Sequence, residues 1–124
     1  MTNNQHRPPV WVGHIELETN KFEQSEEFMR LIGMRSIFKD DGIAVLELRG
    51  GTHLVLIAKD KPTPGIAPFD LMVDDLDAIH RKFSDLGLTP SPINEGKIHS
   101  SFEIEEPGGN TITFNSSHVG EFPV

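Results

Sequence analysis

Apolar and polar residues alternate along VWVGHIELET, residues 10–19, where Ile15 and Leu17 stand between His14, Glu16 and Glu18. A period of two marks a strand with one face buried and one face wet. The period then changes. In KFEQSEEFMRLIGM, Phe22, Phe28, Leu31 and Ile32 lie near helical spacing, and Gly33 stands where a helix would stop. The pattern predicts a strand from Val10 to Thr19 and a helix of about three turns. Three further strands are expected at Arg35 to Phe38, Ile43 to Leu48 and His53 to Ala58, separated by the turn signals DDG and RGG.

KDKPTPG, residues 59–65, combines charge, prolines and a glycine, so it reads as a linker between two halves of one domain. After it the plan repeats. A strand is expected from Phe69 to Val73, a helix from about Asp75 to Leu86 closed by Gly87, and shorter strands at Thr89 to Ser91, Ser100 to Glu105 and Thr111 to Ser116. Setting HIELETNKF over PFDLMVDDL, with His14 over Pro68, brings LIGM and LGL into near register, an internal duplication of about 54 residues. The architecture implied is two βαβββ modules in one chain: module one at about 10–58, a linker at 59–66, module two at about 67–117. The helix-facing positions Phe28, Leu31, Ile32, Phe69, Leu71, Leu86, Ile112 and Phe114 are expected to be buried. Residues 1–9 read as a loose polar arm.

Composition narrows the function. At 124 residues and 36% apolar content, residues 1–124 form a single domain that can bury a core without a covalent staple. The lack of cysteine removes disulfides, thiolate metal sites and cysteine nucleophiles, and suits a reducing compartment. A formal charge of −8, with basic residues scattered, argues against nucleic acid and anionic membranes as partners. MTNNQHRPP lacks the apolar run of a signal peptide, and no apolar stretch approaches the ~20 residues of a membrane span. A soluble, cytoplasmic protein is expected.

GHIELET, FMRLIGM, VDDLDAIHRKFSDLGL and EEPGGNTITF, in this order over about Trp11 to Ser116, resemble the vicinal oxygen chelate superfamily. That superfamily includes glyoxalase I, extradiol dioxygenases, fosfomycin resistance enzymes and bleomycin-binding proteins. The resemblance implies an α+β fold of two tandem βαβββ modules, with curved mixed sheets forming a polar cleft, helices outside, and a homodimer completing the cleft. It also implies four metal-ligand slots, which fall on His14, Val55, Pro68 and Thr113. Only His14 suits a metal, because valine and proline have no side-chain donor and a neutral hydroxyl poorly replaces a carboxylate.

Strand parity shows what else shares those faces. Glu16 accompanies His14, His53 accompanies Val55, Asp70 accompanies Pro68 and Met72, and Thr111, Thr113 and Asn115 stand together. His14, Glu16, His53 and Asp70 would form a shifted set for a divalent ion such as Fe, Mn, Ni or Zn. Ser101, Glu103 and Glu105 share one face of their strand, either solvated or lining the cleft. Trp11 could stack on a planar ligand, or pack in a core or a dimer interface. His80 is expected at the surface without a role, and His99 and His118 at the cleft rim. No nucleophile elbow or phosphate loop is present. The leading reading is a binding protein for a small organic ligand, like the bleomycin-resistance branch, without a metal cofactor and with cleft candidates Trp11, His14, Glu16, His53, Asp70, Ser101, Glu103 and Thr113. The alternative is a metal-dependent lyase, isomerase or dioxygenase of the glyoxalase type using the shifted set; a purely structural or regulatory partner protein is a third reading.

Overall fold

Residues 6–124 are described by a computed structural model of the chain. Module one runs β1 (His14–Thr19), α1 (Phe22–Leu31), β2 (Arg35–Lys39), β3 (Ile43–Glu47) and β4 (His53–Ala58), with a single 3-10 turn at Arg49–Gly51. Module two runs β5 (Ile66–Val73), α2 (Leu76–Asp85), β6 (Asn94–Glu95), β7 (Ser100–Glu105) and β8 (Thr111–Ser116). Each module folds its strands into one four-stranded sheet, in the orders β1-β4-β3-β2 and β5-β8-β7-β6. In both, the first strand pairs parallel with the last and the remaining pairs are antiparallel. The expected α+β architecture of two tandem modules is therefore the observed one, and β1 and β5 meet where the modules join.

The duplication reaches the helix ends. Helix α1 closes with Met34 N–H donating to the Met29 carbonyl at 3.0 Å, and α2 with Leu88 N–H donating to the Phe83 carbonyl at 3.0 Å. Both closures reverse the chain through a glycine of positive φ, Gly33 at 122° and Gly87 at 77°, a backbone that a Cβ would strain. At the other end of α2, Asp75 caps the helix by accepting from Ala78 N–H at 3.0 Å.

One face of each sheet packs under its helix and supplies the core. In module one this face carries Leu17, Ala44, Leu46, Leu54 and Leu56 beneath Phe28 and Met29. In module two, Phe102 and Phe114 stack at 5.2 Å and Phe83 of α2 meets Phe114 edge-on at the same distance, arrangements that aromatic quadrupoles favour. Phe28, Ile112 and Phe114 are buried as expected, while Ile32, Phe69 and Leu71 are half-buried. Leu31 and Leu86 are instead exposed, at 41% and 47%. At 3.6 residues per turn Leu31 falls opposite Phe22, leaving Met29 to fill the core, and Leu86 is the cap residue where α2 ends.

Three strand boundaries also differ from the pattern. The first strand starts at His14, and Val10, Trp11 and Val12 lie before it, all exposed. β5 begins at Ile66, inside the expected linker. Residues 89–91 form no strand: Pro90 and Pro92 cannot donate to a ladder, so Ser91 alone bonds β7, and the short β6 pairs further on. Of the expected N-terminal arm, residues 1–5 lie outside the described residues; residues 6–9 are exposed. No helix among the described residues is long and apolar enough to cross a membrane.

Candidate functional site

The faces turned away from the helices carry the candidate chemistry, and ladder register fixes what stands beside what. On the first sheet, His14 pairs with His53, His53 with Glu47, and Glu47 with Arg35, so one row crosses all four strands. The next row is Glu16, Val55, Val45 and Phe38. On the second sheet, Asp70, Thr113 and Glu103 form one row, and Met72, Asn115 and Ser101 the next. Glu16 beside Val55 thus matches Asp70 beside Thr113: in each module a carboxylate stands next to a last-strand slot that offers no charge.

The second sheet carries an open recess of about 570 Å³. Its lining combines apolar Ile66, Ala67, Pro68 and Phe69 with polar Asp70, His99, Ser101, Thr113 and Asn115. Asn115 donates through Nδ2 to Asp70 Oδ2 at 2.9 Å, which fixes one carboxylate oxygen. His99 meets His118 at 5.7 Å between ring centres, and its Nδ1 is buried without a hydrogen-bond partner among the described residues. A buried polar atom left unpaired costs free energy, so a ligand group that reaches it would be favoured. Asp70, Ser101 and Thr113 thus line one pocket, joined by His99 and Asn115. Glu103 lies in the same row but does not line the recess, and Trp11, 69% exposed, stands apart from it.

His14, Glu16 and His53 lie on the first sheet and Asp70 on the second. Among the described residues no group of three or more His, Asp or Glu side chains is placed to hold a metal ion. The expected metal-holding set of His14, Glu16, His53 and Asp70 is therefore not gathered within one chain.

Two features escaped the sequence reading. Glu47 accepts from Arg35 at one oxygen and faces His53 Nε2 at 3.1 Å with the other. Its carboxyl is held below the usual carboxylate range, first by the Arg35 hydrogen bond and then by His53. Alternation along IAVLE placed Glu47 on that face, yet nothing local announced its partners. His80 is likewise not a bare surface residue: its Nε2 lies 2.8 Å from the Ser91 carbonyl, and its ring meets Phe102 edge-on at 5.1 Å.

No family sequence model and no curated protein sequence matches the chain. Solved structures do. A lactoylglutathione lyase from Agrobacterium tumefaciens superposes with a TM-score of 0.77 at 18% identity, over 94% of this chain and 100% of that one. The bleomycin resistance determinant encoded on the transposon Tn5 gives 0.68 at 17% identity, over 89% and 100%. A member of the glyoxalase/bleomycin resistance protein/dioxygenase superfamily from Sphaerobacter thermophilus gives 0.71 at 15%, over 87% and 98%. Near-complete coverage of both partners means that the module order, and not merely one module, is shared. The chain has the vicinal oxygen chelate fold of the glyoxalase, bleomycin resistance and dioxygenase superfamily.

Proposed function

We propose that the protein binds a small organic molecule in the recess of module two, in the manner of the bleomycin-resistance branch, without a resident metal. The observation that carries this reading is the recess itself, whose lining combines Ile66, Ala67, Pro68 and Phe69 with Asp70, Ser101, Thr113 and His99, the last with a buried Nδ1 that has no partner among the described residues. Few well-placed polar groups against an apolar wall are what ligand pockets require. The recess is lined by one carboxylate and by no lysine or arginine, and the chain carries a formal charge of −8. It therefore suits a neutral or cationic amphiphile better than an anion. A homodimer fits the same reading, since β2 is exposed along its whole length and an unpaired edge invites a partner strand or a covering surface. The absence of cysteine fits a cytoplasmic setting.

The second reading, a metal-dependent lyase, isomerase or dioxygenase, is favoured by the clustering of His14, Glu16 and His53 on one face. It requires a second chain to bring an Asp70 to that face. Protein purified without chelator decides between them. On the binding reading it carries no stoichiometric transition metal, and added Zn(II), Ni(II) or Mn(II) leaves its melting temperature unchanged, since only a ligand of the native state stabilises by mass action. A shift of several degrees, abolished by His14→Ala or Asp70→Ala, selects the enzyme reading instead.

A further inference from the structure

The ladder between β5 and β8 is interrupted where the recess lies. Ile66 pairs with Thr111 and the next pair is Asp70 with Thr113, so β5 advances four residues while β8 advances two. Ala67, Pro68 and Phe69, which line the recess, therefore have no ladder partner on β8, and Pro68 has no N–H to offer one. A bulge of this kind takes its shape from where its two ends are held. In module one, β1 and β4 pair without a break from His14 to Thr19, so the interruption is particular to module two. Its far end is held within module two, by the Asp70–Thr113 pair and by Asn115 Nδ2 donating to Asp70 Oδ2.

The near end is held from module one. Thr111 N–H donates to the Gly65 carbonyl at 2.9 Å. Asn110, directly before Thr111, donates through Nδ2 to Glu106 Oε2 at 2.8 Å and to the Glu18 carbonyl of β1 at 3.0 Å. Glu106 in turn accepts from Ser25 Oγ of α1 at 2.6 Å. Ser25, Glu106 and Asn110 are all buried, so water competes little for these bonds. None of the three lines the recess. We propose that Glu106 and Asn110 are positioning residues for the recess: they clamp the starts of β5 and β8 to module one, and thereby fix the bulge against which a ligand rests. The inference rests on the binding reading and adds that affinity at the recess depends on a contact the ligand never touches. Coupling of this kind is reciprocal, so a ligand that settles the bulge also tightens the joint.

Ser25→Ala tests the clamp from its remote end and Asn110→Ala from its near end. Leu46→Ala, in the β3 part of the module-one core, is the control for a loss of stability that leaves the joint alone. In amide NMR of the labelled protein without ligand, Ser25→Ala should move the signals of Ala67, Phe69 and Asp70, which Leu46→Ala leaves still. Titration with 4-phenylbutylamine, a cationic aromatic amphiphile, in EDTA then reads affinity. Asn110→Ala should raise the dissociation constant about fivefold or more, the low end of couplings between separate sites; Ser25→Ala should raise it less, and Leu46→Ala should leave it unchanged. Binding to the wild type should shift the Gly108 and Asn110 amides along with those of the recess. The proposal is overturned if Ser25→Ala moves only the amides of the joint itself, or if both variants bind the amine as the wild type does. It is equally overturned if Leu46→Ala weakens binding as much as they do, since a loss shared with the control is general destabilisation. An amine that leaves the wild-type recess untouched overturns the binding reading instead, and the ligand-free spectra then decide the clamp alone. Should Asn110→Ala fail to fold, Ser25→Ala carries both measurements.

Discussion

The two modules end in the same kind of turn and use it differently. Leu48-Arg49-Gly50-Gly51-Thr52 joins β3 to β4, and Glu106-Pro107-Gly108-Gly109-Asn110 joins β7 to β8. A Cβ added at Gly50 would meet nothing within 4 Å, whereas one at Gly108 would lie 2.3 Å from Thr19 Oγ1 and 2.7 Å from Glu106 Oε2. The second turn is pressed into module one. Its Glu106, 1% exposed, accepts from Ser25 Oγ at 2.6 Å, Gly108 N–H at 2.9 Å, Asn110 N–H at 3.0 Å and Asn110 Nδ2 at 2.8 Å. Asn110 Nδ2 also reaches the Glu18 carbonyl at 3.0 Å. Duplication supplied one backbone plan; a buried carboxylate then turned one copy of the turn into the joint between modules, leaving the other at the surface.

That contrast is broken most severely in the buried copy. Glu106→Ala would leave the Gly108 and Asn110 N–H groups without an acceptor and remove one partner each from Ser25 Oγ, which keeps Thr19 Oγ1, and Asn110 Nδ2, which keeps the Glu18 carbonyl; at about 1–3 kcal/mol for each unpaired buried group, a loss of about 3 kcal/mol in urea unfolding is expected. Glu106→Gln should recover only part of it, since its amide would place donors against donors. Phe114→Ala, which removes the stacked ring from the module-two core, should cost roughly 3–5 kcal/mol. A loss below about 1 kcal/mol would mean that the strand faces are reversed.

Gly108→Ala and Gly50→Ala separate steric from conformational cost. The first must push Thr19 and Glu106 apart and should cost about 1–3 kcal/mol. The second meets no atoms but holds a non-glycine at φ 85°, for about 1–2 kcal/mol. Combining Gly108→Ala with Thr19→Ser, which keeps the hydroxyl but removes a methyl, should recover little, because the clash is with Oγ1 as well as Cβ.

A smaller effect is expected at Glu47. Its folded-state pKa is depressed by Arg35 and then His53, so its contribution is present above the ordinary carboxylate pKa and lost as pH falls through the lowered one. The stability difference between wild type and Glu47→Gln should be present at neutral pH and shrink as pH falls through the carboxylate range. Equal curves at all pH values would mean that the Arg35–Glu47–His53 row is not formed. Arg49→Ala should be smallest of all: its contact with Asp74 joins the modules at 2.8 Å, but both side chains are 74% exposed, and exposed pairs contribute little.

Much of this fold was legible in the sequence because periodicity reports it directly. Ile15 and Leu17 against His14 and Glu16 set the faces of β1, and Gly33 and Gly87 marked both helix ends. The failures have local causes. Val10, Trp11 and Val12 look like strand by composition but form none, and Pro90 and Pro92 silence an otherwise plausible strand. The site was legible only by face. Parity put Asp70 and Thr113 on cleft faces and left the face of Ser101 open, but register, which no sequence pattern states, was needed to set Ser101 in the row of Asn115 and Glu47 beside His53. His99 was expected at the rim; its unpaired Nδ1 is a property of packing around it.

The central claim is that the recess of module two takes a small molecule with no metal. It is tested most directly by amide NMR of the labelled protein in EDTA, titrated with a fragment set that includes cationic and neutral aromatic amphiphiles. The account predicts saturable shifts confined to Asp70, His99, Ser101, Thr113 and Asn115 and their neighbours, reduced by Asp70→Asn for the cationic fragments. Fragments that bind only when a divalent metal replaces EDTA, or that shift other surfaces while leaving these amides still, would contradict it.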